Sequence, residues 1–140
     1  MSNLMTTRVR DRPVPGAGSP GLNLPINLDP LLGVWVNYNE GSTGINRVEI
    51  SNWEGLPTVR AFGAGRPTPI DWGEVAGAAF AEGVDGHEAV GFSASYDLSF
   101  ASVLLAAYLN KRLLVVDAYT TFTDRSGRAA YFQRDHFYLP

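Results

Sequence analysis

Two β-prone runs joined by a tight turn close this chain and constrain what the rest can be. Leu113 to Val116 and Tyr119 to Thr123 are rich in β-branched and aromatic side chains, which fit a pleated surface. Asp124-Arg125-Ser126-Gly127 follows with turn chemistry. Asp favours the first turn position, and Gly accepts the positive φ that a hairpin return needs. Ala129 to Tyr138 then runs back. Its alternation puts Tyr131, Gln133, Asp135 and Phe137 on one face, and Arg128, Phe132, Arg134, His136 and Tyr138 on the other. Neither face is purely apolar. That is the pattern of a barrel with a partly polar interior, or of a sheet with one wet face.

The same pattern extends backwards through the chain. Strands are expected at Leu31–Asn39, Ile45–Trp53, Leu56–Gly63, Ile70–Phe80, Glu88–Tyr96, Phe100–Leu109, Arg112–Thr123 and Arg128–Tyr138. Glu54-Gly55 is a two-residue turn of hairpin type, and Asn110-Lys111 makes a later turn. Gly73 and Gly77 interrupt the fourth run and suggest bulges or strong curvature. Ser99 to Leu109 is apolar enough to be a buried helix. It is read as a strand because turns flank it closely. Eight such runs with short turns give an all-β fold, a single antiparallel eight-stranded up-and-down barrel over residues 31–140.

Residues 1–30 differ in kind. They hold Pro13, Pro15, Pro20, Pro25 and Pro30 but none of the three Trp, six Tyr and seven Phe, so they cannot build a core of their own. They are read as an arm, either a flexible tail or a segment that crosses the barrel mouth or a neighbouring subunit. Leu22, Leu24, Ile26 and Leu28 alternate with other residues and suit an extended course against the barrel. The G-x-G-x-x-G spacing of Gly16, Gly18 and Gly21 is discounted as a dinucleotide site. No strand precedes it, Pro20 sits inside it, and no helix follows.

Bulk properties narrow the function. A net charge of −3 with interspersed charges argues against nucleic acid as a partner. The absence of cysteine removes disulfides, thiolate catalysis and Cys-ligated zinc. No run reaches the roughly 18 apolar residues of a membrane span, and the N-terminus lacks the apolar core of a signal peptide. A cytoplasmic protein without membrane association is expected. His87 and His136 lack metal-ligand spacing, so neither a metal nor a cofactor is expected. Asp135 and His136 point to opposite faces and cannot form a dyad. Ser93 and Ser95 in GFSAS do not make a nucleophile elbow.

Candidate inward residues for a ligand are Trp35, Asn37, Phe62, Tyr119, Phe122 and Tyr131. Tyr and Trp carry polar ends, and such a mixed lining suits a mostly apolar molecule with a few oxygens. Candidate catalytic residues are Tyr96, Asp71, Trp72 and Glu74. Here a carboxylate beside a Trp could act as a general acid or base. Plain core packing for the aromatics, and turn capping for Asp71, are the competing readings. Val34, Val36 and Tyr38 alternate with Trp35 and Asn37, and would face outward as contacts of a homodimer.

Gly33-x-Trp35, followed by Asn37, resembles the G-x-W opening of lipocalins and other calycin-type barrels. The likeness implies a Trp packed at the closed end and a late-strand Arg covering it, a part for Arg128 or Arg134. The chain also looks like a set of small bacterial barrel domains. That likeness rests on G-x-W-x-N at Gly33 to Asn37, A-F-G-A at Ala61 to Ala64, D-W-G at Asp71 to Gly73, and T-F-T-D-x-S-G-R at Thr121 to Arg128. In length and in its proline-rich arm the chain is similar to the barrel cyclases of spirotetronate biosynthesis, a likeness of architecture alone. It implies a cofactor-independent cyclase or isomerase that shapes a flexible polyene or polyketide-like substrate by pericyclic or acid/base-assisted ring closure. A non-catalytic, lipocalin-like carrier of a small hydrophobic molecule is the alternative.

Overall fold

A computed structural model of the chain describes residues 26–65 and 67–140. The expected arm lies almost wholly outside the described residues. Nine strands follow one another: β1 (Gly33–Asn37), β2 (Ile45–Trp53), β3 (Leu56–Gly63), β4 (Ile70–Ala76), β5 (Ala78–Ala81), β6 (Ala89–Asp97), β7 (Ala101–Asn110), β8 (Leu113–Phe122) and β9 (Tyr131–Tyr138). They form a single antiparallel sheet of order β4-β3-β2-β1-β9-β8-β7-β6-β5. The one helix among the described residues is a 3-10 turn at Asp29–Leu31, and no helix there is long and apolar enough to cross a membrane.

The up-and-down, all-β expectation stands. The closed eight-stranded barrel is corrected, because the run read as one strand is two. Its first half pairs with β3, through Val59 opposite Val75 and Arg60 opposite Glu74. Its second half pairs with β6, through Ala78 opposite Ser93 and Ala79 opposite Phe92. No ladder joins β4 to β5, so the hydrogen-bonded order has two ends. Gly77 alone separates those ends in sequence, and its N–H donates to Pro57 O at 2.8 Å. The sheet therefore curls until β4 lies against β6 and β3 against β5, an arrangement compatible with a barrel-like fold.

Turns and registers follow from the residues. Glu54 and Gly55 both take positive φ, 51° and 88°, as a two-residue hairpin turn requires. Ser99 to Leu109 forms most of β7, with burial alternating from Ala101 through Val103, Leu105 and Ala107. That period of two excludes the helical alternative. The hairpin from β8 to β9 pairs Leu114 with Phe137 and Thr120 with Tyr131. Its turn is held by Asp124, which accepts from Ser126 N at 3.0 Å and pairs with Arg128 at 2.7 Å.

The inner face is apolar through the middle of the sheet. Val48, Val59, Leu105, Leu114 and Phe137 are fully buried there. One end is plugged. Leu28 and Leu31 are buried beside the 3-10 turn, and Trp35, 2% exposed, donates its indole N–H to Leu31 O at 2.8 Å. Asn27 bridges His87 and Ala89, tying the plug to the start of β6. Trp35 thus packs at a closed end. The two arginines expected to cover it are engaged elsewhere: Arg134 pairs with Asp117 and Arg128 with Asp124.

Gly77 is the position where this curvature can be tested. A Cβ there would sit 2.7 Å from Ser93 O, a backbone atom that cannot move aside cheaply. Gly77→Ala is expected to destabilise the fold by about 1–3 kcal/mol, the ordinary range for overpacking. Gly83→Ala meets nothing within 4 Å and should leave the urea midpoint unchanged. Equal midpoints for the two variants would show that the junction is not tight.

Candidate functional site

The end of the sheet opposite the plug is open and holds a cavity of about 440 Å³. Its walls come from the starts of β2, β4, β7 and β9 and the ends of β3 and β8. One side is apolar: Ile70, Trp72, Leu98, Phe100 and Val103. The other side carries Thr120, Tyr131, Gln133 and Asp135, with Thr43 at the loop before β2. Val116, Ala118 and Phe137 line the cavity from β8 and β9.

The polar wall is built by strand periodicity. On β9, Phe137 is fully buried, and Asp135, Gln133 and Tyr131 follow it at two-residue steps towards the rim, where Tyr131 is 50% exposed. Their partners on β8 are Val116 opposite Asp135, Ala118 opposite Gln133 and Thr120 opposite Tyr131. Residues two apart share a face, so one alternation sets the whole wall. Among the described residues, the Asp135 carboxylate accepts one hydrogen bond, from the Ser42 hydroxyl at 3.4 Å. That is longer than the roughly 2.5–3.0 Å of a good O–H···O bond.

Trp72 is the one expected catalytic residue whose ring lies in the cavity. It packs where Gly63 leaves room, since a Cβ at Gly63 would meet its indole nitrogen at 2.7 Å. A bulge sets its direction: the β3–β4 register shifts between Arg60 and Phe62, and Gly73 takes φ 89°. Asp71 reaches the rim of the cavity, but its carboxylate is held by Arg60 and by Gly73 N at 2.8 Å. Arg60, and after it the Gly73 N–H, keeps Asp71 below the usual carboxylate range. It stands as a fixed anion beside its cation, not as a proton donor near neutrality. Glu74 pairs across to Arg60 and is exposed, away from the cavity.

Tyr96 is buried against the edge of Trp72, with ring centroids 5.4 Å apart. Its hydroxyl accepts from Ala61 N at 3.0 Å, and its proton is directed to Gly73 O at 2.8 Å and Val59 O at 3.0 Å. A residue of β6 thereby clasps β3 and β4 across the gap between the sheet's two ends. This suits the phenol to a structural role and leaves it no proton to spare.

The expected ligand-binding residues divide. Tyr131 lines the cavity. Phe122 sits beside Tyr131, stacked on it at 6.0 Å, with the Arg128 guanidinium over its ring at 3.9 Å. Trp35 and Asn37 are inside but serve the fold: Asn37 donates to Ile45 O at 2.9 Å and accepts from Asn39 N at 2.8 Å. Phe62 is only 8% exposed, yet it lies between Arg47 and Arg60, 3.9 and 5.3 Å from its ring centre. Arg60 and Asp71 flank it, so Phe62 is on the outer face. Tyr119 is also outside, 44% exposed and tilted against Phe132 at 5.1 Å. Val34 and Tyr38 are exposed as expected.

Gln133, Asp135, Thr120 and, apart from Trp72, the apolar side of the cavity were not among the candidates. The alternation of β9 already grouped Gln133 and Asp135 with Tyr131 and Phe137, and that was the available signal. No group of His, Asp or Glu suited to a metal ion occurs among the described residues. Comparison with protein families, with curated proteins and with solved structures finds no match.

The Tyr96 clasp predicts a pH effect. Burial pushes its phenol above the ordinary value. The folded state then holds the proton more tightly than the unfolded state. Its contribution is complete below about pH 10 and is lost as pH rises through the folded value. Tyr96→Phe leaves the Ala61 N–H without its partner and should cost about 1–3 kcal/mol near neutral pH. The gap from the parent should narrow above pH 10 in denaturation curves. A variant as stable as the parent at pH 7 would show that the clasp contributes nothing.

Proposed function

We propose that the open end of the curled sheet binds a small, mostly apolar molecule carrying a few hydrogen-bonding groups. The observation that supports this is the cavity of about 440 Å³ with one apolar and one polar side. Its size falls within the roughly 300–1,000 Å³ typical of ligand pockets. An apolar body would lie against Trp72, Leu98, Phe100 and Val103, displacing water from surface that gains by its removal. Thr120, Tyr131 and Gln133 would orient it through hydrogen bonds. The calycin-type likeness belongs with this reading. Trp35 and the Leu28–Leu31 plug stop one end and leave the other as the entrance.

A second reading is ring closure by a cofactor-independent cyclase or isomerase. One feature favours it: the cavity is stopped by a packed core, so a flexible chain entering it must fold back on itself. Holding reacting carbons together can accelerate reaction without any specialised group. Acid/base assistance finds less support, because Asp71 is held charged, Tyr96 is engaged with the backbone and Glu74 lies outside.

Binding is tested with N-phenyl-1-naphthylamine, a neutral dye that fluoresces in apolar sites. Saturable one-to-one enhancement is expected. Ala118→Trp, which fills the cavity from β8, should abolish it while the folded circular dichroism spectrum persists. Dye binding that Ala118→Trp leaves unchanged would place the ligand elsewhere. Incubation with a flexible linked diene–alkene separates the second reading. A ring-closed isomer of unchanged mass, formed faster than without protein, supports catalysis, and recovery of the probe at the uncatalysed rate argues for binding alone.

A further inference from the structure

Resting on the binding reading above, we infer that this cavity selects ligands with a cationic head, an apolar amine in its ammonium form, and disfavours carboxylates such as fatty acids. The inference comes from the signs of the charges on the walls. Among the described residues, the lining holds two carboxylates, Asp71 and Asp135, and no Lys, Arg or His. The two are not equivalent. Asp71 is neutralised by Arg60, which binds it from the outer face. Among the described residues, the one hydrogen bond to the Asp135 carboxylate comes from the Ser42 hydroxyl, at 3.4 Å.

Position makes this charge count. Asp135 is partly buried and lies one inward step above Phe137, which is fully buried. It faces an apolar side formed by Trp72, Leu98 and Phe100. A charge beside apolar surface is screened less than one in open water, so its interaction with a ligand's charge is stronger. A second anion brought there would be repelled and stripped of water without compensation. An ammonium would instead make charge-assisted hydrogen bonds to Asp135, with the Gln133 amide oxygen and Thr120 hydroxyl on the same wall as further acceptors. Its apolar body would then lie across the cavity on the Trp72 side. A fatty-acid carrier would need the reverse, a basic residue at the bottom of the pocket.

Three probes with one apolar body test this: 4-phenylbutylamine, 4-phenylbutan-1-ol and 4-phenylbutyrate at pH 7, each displacing N-phenyl-1-naphthylamine from the full chain. The amine is expected to bind on the order of tenfold more tightly than the alcohol, as a hydrogen bond to a charged partner provides, and the carboxylate more weakly than both. Asp135→Asn should bring amine and alcohol together. Gln133→Glu, which adds a carboxylate to the same wall, should widen the amine preference and reads the same charge effect if Asp135→Asn does not fold. Equal displacement by all three probes, or best displacement by the carboxylate, overturns the charge selection and leaves the pocket itself standing. Failure of the dye and of all three probes to bind overturns the pocket reading and the inference with it.

Discussion

The structure depends on one position where a side chain has no room. At Gly77 the chain leaves its ladder with β3 and begins its ladder with β6, within a single residue. Its N–H still bonds to Pro57 O, and the backbone of Ser93 stands where a Cβ would be. A larger residue would push those segments apart and open the sheet. Because they stay together, the inner face of an antiparallel sheet becomes an enclosed surface. Tyr96 reinforces the same place, reaching from β6 to the backbone of Val59, Ala61 and Gly73. The clasp also backs the Trp72 ring, so a device of the fold shapes one wall of the cavity.

The two ends of the sheet solve different problems. At one end Leu28, Leu31 and Trp35 bury their apolar surface together, and the one polar atom of the Trp is satisfied by Leu31 O. This is the ordinary way to bury an indole. At the other end the strands continue past the core, but the inward side chains of β9 and the end of β8 turn polar. A carboxylate, an amide and a phenol cannot be packed against one another in a dry core without loss. They remain facing a space that water or a ligand can fill. An interior polarity that rises along β9 is thus the physical signature of an open end.

Much of this was legible along the chain. The two faces of β9 were assigned by alternation, and the register pairs them with β8 as the turn at Asp124–Gly127 implied. The strand nature of Ser99 to Leu109 followed from its flanking turns. Glycines in the fourth run pointed to strong curvature, though not to a break that splits the strand between two partners. Ring chemistry is a weaker guide to the inner face than periodicity. Tyr119 and Phe122 are three apart and cannot share a face of a regular strand, and Tyr119 is the one outside. Nothing in the Phe62 side chain itself signals an outward position. Arg47 and Arg60 cover it on the outer face, an apolar ring buried by cations.

The sequence by itself determined the secondary structure type, the turns and the alternation of faces, because these are set by neighbours within a few residues. It also determined that Gln133 and Asp135 share a face with Phe137. Only the tertiary structure decided which face is inside, where the cavity opens, and that Tyr96 and Asp71 are already engaged. Those outcomes depend on contacts between residues far apart in the chain: Tyr96 with Val59, Asp71 with Arg60 across a bulge, and Gly77 with Ser93. A shift of one residue at the bulge would exchange inside for outside along β4. Local pattern is silent about such a shift, and packing against β3 and β6 settles it.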